Sequence, residues 1–154
     1  MARVGLDRLE YLMENLAREL AMASSSITGL GTPVVSLVGS GATKTLTGAD
    51  SGAIVRMGGS NASTVTLPAA AAGLYFRFVA VTAHAHVING GATKIQGGYH
   101  HNTNAATVAR VVVTNRSTLT LHNSNSAIAD TLEMWSDGVN WYVNGIVNDA
   151  ITLG

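Results

Sequence analysis

Beyond residue 32 the sequence breaks into short runs of alternating apolar and polar residues, each closed off by glycine, asparagine, serine or proline. A period of two sends successive side chains to opposite faces of an extended chain, so each run reads as a β-strand with one face for a core. Strands are expected at residues 34–38, 44–47, 54–57, 64–67, 75–81, 84–88, 94–96, 110–114, 117–122, 131–136 and 140–144. The separators Gly58-Gly59, Gly90-Gly91, Gly97-Gly98, Ser124-Asn125-Ser126 and Asp137-Gly138 carry turn chemistry. Many short strands at close spacing indicate a mainly β fold, an antiparallel sandwich or barrel, and not alternating strands and helices. Residues 75–81 form the clearest central strand. There Leu74, Phe76 and Phe78 alternate with Tyr75, Arg77 and Val79, so one face fills the core. Pro68 before and Gly73 after the alanine run 69–72 leave room only for a tight connection.

The first segment has a different period. Leu6, Leu9, Met13, Leu16 and Leu20 follow one another at gaps of three and four, which puts them on one stripe of an amphipathic α-helix at heptad a and d positions. Seven of the eighteen formal charges fall within the first twenty residues: Arg3, Asp7, Arg8, Glu10, Glu14, Arg18 and Glu19. Asp7 near the start suits the helix dipole. A helix of this length does not persist alone in water, so it packs on its own β domain, on copies of itself or on a partner. Ser24-Ser25-Ser26 and residues 29–33 (GLGTP) read as a flexible connector and a helix stop. The expected organisation is an N-terminal arm over residues 1–31 and a β domain over 32–154.

Composition narrows the function. Charged residues make up 12% of the chain, against roughly 25% in ordinary globular domains. A monomer with so few charges shows water a weakly hydrated surface, and the simplest resolution is that neighbours cover much of it. The formal net charge is zero, with nine basic and nine acidic residues, which supplies no basic stripe for nucleic acid. Cysteine is absent, which fits synthesis in a reducing cytoplasm. The opening residues carry charges where an export signal would need an apolar run, and no stretch reaches transmembrane length, so neither export nor a membrane partner is expected.

Chemistry-bearing motifs are sparse. Residues 39–45 (GSGATKT) approach a phosphate-binding loop, but Thr43 stands where the glycine before the lysine belongs, and a strand follows in place of a helix. A glycine-rich hairpin turn is the better account. Among His84, His86, His100, His101 and His122, the first two lie two apart and would share a strand face, a weak candidate pair for a metal that still wants a third ligand. A metal on a symmetry axis, fed by one histidine per subunit, is the minority alternative. No serine stands in a Gly-x-Ser-x-Gly turn. Asp130, Glu133 and Asp137 form the densest acidic cluster, with Glu133 and Asp137 near one strand end, but without calcium-loop spacing. Asn61-Ala62-Ser63 and Asn115-Arg116-Ser117 match the glycosylation pattern at chance frequency. The expectation is a protein with no enzymatic activity and no cofactor.

Three phrases carry a resemblance: residues 44–53 (KTLTGADSGA), 63–79 (STVTLPAAAAGLYFRFV) and 135–145 (WSDGVNWYVNG). In style, residues 44–145 resemble the small β domains of tailed-phage capsid decoration (cement) proteins and of phage tail-fibre modules; the N-terminal heptad helix is not shared by all of them. The resemblance implies a homotrimer, no enzymatic activity and a place on the outer capsid surface of the virion. The major capsid protein would be the partner. The arm, through Leu6, Leu9, Met13, Leu16 and Leu20, would then lie in a capsid groove. The rival reading is a tail-fibre or tail-tip module that binds host glycan. There the helix is a stalk, and Trp135, Trp141, Tyr142 and a His100-His101 loop face the sugar. In the last hairpin Trp135 and Trp141 flank Asp137-Gly138, with four residues between Ser136 and Trp141, and cross-strand aromatic pairing would pin the register.

Overall fold

A computed structural model describes residues 8, 10, 11, 13–15, 31–104, 107–121, 128 and 130–154, with the backbone alone for residues 103 and 104. The chain divides into two compact units, Met1–Thr32 and Pro33–Gly154. In the first, every described residue before Gly31 is α-helical, and Tyr11 and Met13 are exposed. Leu6, Leu9, Leu16 and Leu20 of the expected stripe lie outside the described residues. Among those described, no helix is long and apolar enough to cross a membrane.

The described residues of the second unit form twelve strands: β1 Val34–Leu37, β2 Thr43–Thr45, β3 Ile54–Met57, β4 Thr64–Thr66, β5 Tyr75–Ala80, β6 Val87–Asn89, β7 Ile95–Asn104, β8 Thr107–Arg116, β9 Thr118–Thr120, β10 Thr131–Ser136, β11 Trp141–Val147 and β12 Thr152–Leu153. They form a seven-stranded sheet in the order β1-β3-β5-β10-β11-β7-β8 and a five-stranded sheet in the order β12-β9-β6-β4-β2. The fold is therefore mainly β and consistent with a sandwich, but both sheets are mixed. β1, β3 and β5 pair parallel in the first sheet, as do β2, β4 and β6 in the second, and β11 pairs parallel with β7. The purely antiparallel expectation is corrected by this.

The physical reason lies in the connections. From β1 to β6 the chain alternates between the two sheets, so each turn returns to the first sheet beside its predecessor and in the same direction. The register marks the pitch: Val34 sits beside Ile54 and Ile54 beside Arg77, while Thr43 sits beside Thr64 and Thr64 beside Val87. Parallel neighbours need long crossovers, and here the opposite sheet supplies them. Residues 39–45 make one such crossing, from β1 to β2, and are not a hairpin. The next crossing, β2 to β3, is held by Asp50, whose carboxylate accepts from the N–H and hydroxyl of Thr47 at 2.8 Å each and meets Lys44 at 3.4 Å.

One apolar core lies between the sheets. It takes Val55, Met57, Phe76, Phe78, Leu132, Met134, Trp141 and Val143 from the first, and Val65, Ile88 and Leu119 from the second. The strand alternation expected at residues 75–81 is observed: Phe76, Phe78 and Ala80 are buried while Tyr75, Arg77 and Val79 face outward. Two expectations change. Gly97-Gly98 is no turn but lies inside the ten-residue β7, where Gly97 at φ +116° coincides with a register shift against β8. His84 and His86 precede β6 in a bend, so they do not share a strand face.

Candidate functional site

The side chains that alternate outward from the seven-stranded sheet build the most distinctive surface of the domain. One row crosses four strands. Tyr75 on β5 is the register partner of Trp135 on β10, Trp135 that of Tyr142 on β11, and Tyr142 that of Gln96 on β7. The Trp135 and Tyr142 rings stack at 6.0 Å between centroids and 18° between planes, and Trp135 is 43% exposed. The sequence holds eight aromatic residues, so three on one outward row is a concentration that the core does not require.

The row is held from its edges. The Tyr142 hydroxyl donates to Oδ2 of Asp137 at 3.0 Å, while Oδ1 of the same carboxylate accepts the N–H groups of Val139 and Asn140 at 2.8 Å each. Those backbone donors hold the Asp137 carboxyl below the usual carboxylate range, first through Asn140. The hydrogen bond to Asp137, and then its charge, push the Tyr142 hydroxyl up in turn. Burial, followed by the hydrogen bond to Glu133, raises Tyr75. The Tyr142 hydroxyl is thus fixed by a carboxylate, which orders that end of the row.

Trp141 does not belong to this surface. It is fully buried, packs at 5.7 Å from Phe76, and donates its indole N–H to the carbonyl of Pro68 at 3.2 Å. Its register partner is Ser136, and Trp135 pairs with Tyr142. The four-residue loop 137–140 shifts the pairing by one from the Trp135–Trp141 arrangement, and a shift of one sends a side chain to the other face. Tyr75 and Gln96 complete the row in its place. Alternation alone puts Tyr75 outward, but only the sheet order brings it beside Trp135.

Next to the row is a groove of about 700 Å³ whose lining includes Arg77, His100, Asp130, Glu133, Asn144 and Ile146. Arg77 and Glu133 face each other at 3.9 Å, both partly exposed. Asp130 is buried and accepts the N–H of Asn148 at 2.8 Å. The acidic cluster is therefore divided: Asp130 and Glu133 border the groove, whereas Asp137 lies beyond the far end of β10, about 20 Å of strand from Asp130. On the same outer face of the sheet, Val34, Val112 and Ile146 are all more than half exposed.

The histidines are dispersed. His86 is buried with both ring nitrogens engaged, by Ser63 and by Thr82, which leaves no lone pair for a metal. His84 meets it edge-on at 6.0 Å. His100 and His101 lie in β7, not in a loop, and His101 packs at 6.1 Å from Tyr99. His122 lies outside the described residues, among which no group of three metal-ligating side chains converges. Comparison with protein-family models, with curated proteins and with solved structures gives no significant match to this chain.

Proposed function

We propose that this chain is a structural protein of a virus particle, a decoration (cement) protein that binds the assembled phage head and stabilises it as an oligomer. The observation that carries the reading is the outer face of the seven-stranded sheet. Val34, Val112 and Ile146 are exposed there, and the central charges Arg77 and Glu133 neutralise each other. A rigid, weakly charged face of this kind suits burial against protein. On an outer capsid surface it adds buried area across junctions between major capsid subunits, and the arm supplies a second anchor. The work asks for no cofactor, nucleic acid or membrane.

The test is addition of the purified chain to heads that lack it, with bound copies counted by mass spectrometry against the major capsid protein. Saturation at hundreds of copies per head is the expected result. Ile146→Arg is expected to weaken binding at least tenfold with the β domain still folded, and Leu9→Asp with Leu16→Asp to abolish it if the arm is an anchor. No binding to heads, or tens of copies located on the tail, overturns the reading.

The row Tyr75, Trp135 and Tyr142 favours a second reading, a tail-fibre or tail-tip module that recognises host glycan. Sugar rings offer an apolar face to aromatic side chains and hydroxyls to flanking acceptors such as Asp137 and Gln96. Retention of the chain on a host-glycan array, lost in Trp135→Ala, is the outcome that would favour this reading over the first.

A further inference from the structure

Among the described residues four strands border the two sheets, and three of them are short: β1 has four residues, β2 three and β12 two. The fourth, β8, has ten, and it ends the seven-stranded sheet beside β7. A long edge strand presents a row of backbone donors and acceptors to any strand that approaches, and soluble proteins block such edges with lysine, proline, inward charges or bulges. β8 (TVARVVVTNR) contains no lysine, proline or acid. Its two irregularities lie at the ends, while six consecutive residues, Val108 to Val113, pair with β7 from Asn102 to Gly97 without a break. The one charge within that stretch, Arg110, folds its guanidinium back over Gly98 of β7, away from the free edge. Among the described residues, no strand pairs with the outer side of β8.

We propose that β8 is a contact between two copies of this chain, which pair antiparallel about a twofold axis at Val111 and join their seven-stranded sheets. The choice of a second copy follows from the side chains. About that axis Val111 faces its own symmetry mate. Ala109 then meets Val113 on the core side, a small residue against a large one, and Val112 meets Arg110 on the outer side. No like charges fall directly opposite, whereas an axis one residue earlier would set Arg110 against itself. A twofold contact uses the same patch on both copies, so an edge that complements itself is sufficient. Val108 and Val112, 60% and 59% exposed, gain cross-strand neighbours in the pair. The contact is independent of where the protein resides, and its twofold symmetry differs from the threefold assembly that the phage resemblance implies.

The test uses the full chain. Light scattering is expected to give twice the 15.9 kDa chain mass at high micromolar concentration. Val112→Lys sets an ammonium opposite Arg110 of the other copy, and is expected to weaken association at least tenfold while circular dichroism stays unchanged. The chain has no cysteine, so single substitutions report geometry directly. With oxidised glutathione as the oxidant, Val111→Cys is expected to form an intermolecular disulfide, since opposed Cα atoms in an antiparallel pair lie about 4.5–5.5 Å apart. Ala109→Cys, four residues from its own mate along the strand, is expected not to. A monomer at that concentration, a larger assembly unaffected by Val112→Lys, or equal crosslinking of the two cysteine variants would overturn the proposal.

Discussion

The backbone N–H of Ser63 donates to Nδ1 of His86 over 3.0 Å, and the opposite ring nitrogen, Nε2, lies 3.1 Å from the carbonyl oxygen of Thr82. An acceptor at Nδ1 and a donor at Nε2 define one neutral tautomer. Both Ser63 and His86 are fully buried. They precede β4 and β6, parallel neighbours in the five-stranded sheet, so the imidazole joins two successive turns of the chain. A proton added at Nδ1 would face the Ser63 N–H, and the cation would be desolvated.

Stability is therefore expected to fall in mild acid. Burial, the largest cause, depresses the His86 pKa below its ordinary value of 6.5, with the neighbouring His84 acting in the same direction. The unfolded chain binds a proton at pH 6.5 and the folded chain does so only at lower pH. The contribution is thus complete above about pH 7.5 and lost as pH drops below 6.5 toward the folded value, at up to about 1.4 kcal/mol per pH unit. Urea titrations at pH 7.5 and 5.5 should show the lower midpoint in acid, and His86→Gln should reduce that difference. An unchanged midpoint in the wild-type chain would mean that His86 accepts its proton without cost.

The two tryptophans are expected to separate sharply. Trp141→Ala removes the largest core side chain and leaves the Pro68 carbonyl without its donor, a loss of about 3–5 kcal/mol in denaturant unfolding. Trp135→Ala, on the outer row, should cost about 1 kcal/mol or less and change surface recognition instead. Equal losses would place both rings in the core.

Tyr99 has a comparable structural task near the C-terminus. Its hydroxyl accepts the N–H of Ile151 at 2.9 Å and donates to the carbonyl of the same residue at 3.3 Å, all in buried surroundings. Tyr99→Phe keeps the ring and leaves both backbone groups of Ile151 unpaired, which should cost about 1–3 kcal/mol. Hydrogen exchange at Ile151 and in β12 should accelerate more than exchange in β3 or β5. A uniform change across all strands would count against a local clamp.

These contacts mark where the sequence was legible. Period-two alternation located β3 and β10 to the residue and the inward face of β5, because alternation is a local property of one strand. Parallel pairing was not legible, since residues 34–57 read the same whether β3 returns beside β1 in the same direction or the opposite one. Only the passage through the second sheet decides it. The full length of β7 is hidden because Gly97 to Asn104 (GGYHHNTN) is mostly glycine, histidine and asparagine, which read as loop; the neighbours β11 and β8 impose strand geometry there. The aromatic row is half legible. Trp135 and Tyr142 stand out in the sequence, Tyr75 requires the sheet order, and Trp141, which faces the sugar only under the glycan reading, takes the core position that its aromatic character equally allows.

The same glycine supplies a final test of how β7 is accommodated. Gly97 combines φ +116° with a backbone so close to β11 that a Cβ would stand 2.3 Å from the carbonyl oxygen of its register partner Val143. Gly73, at φ +85°, has nothing within 4 Å of the same position. Gly73→Ala should therefore cost only the backbone strain of a left-handed residue, about 1–3 kcal/mol. Gly97→Ala carries that strain and also forces β7 and β11 apart at the centre of the sheet. Denaturant unfolding should rank Gly97→Ala as the more damaging by a clear margin, with Trp141 fluorescence altered in that variant alone. Equal effects would show that the strands separate freely at Gly97, and the parallel β7–β11 pairing would then contribute little to the fold.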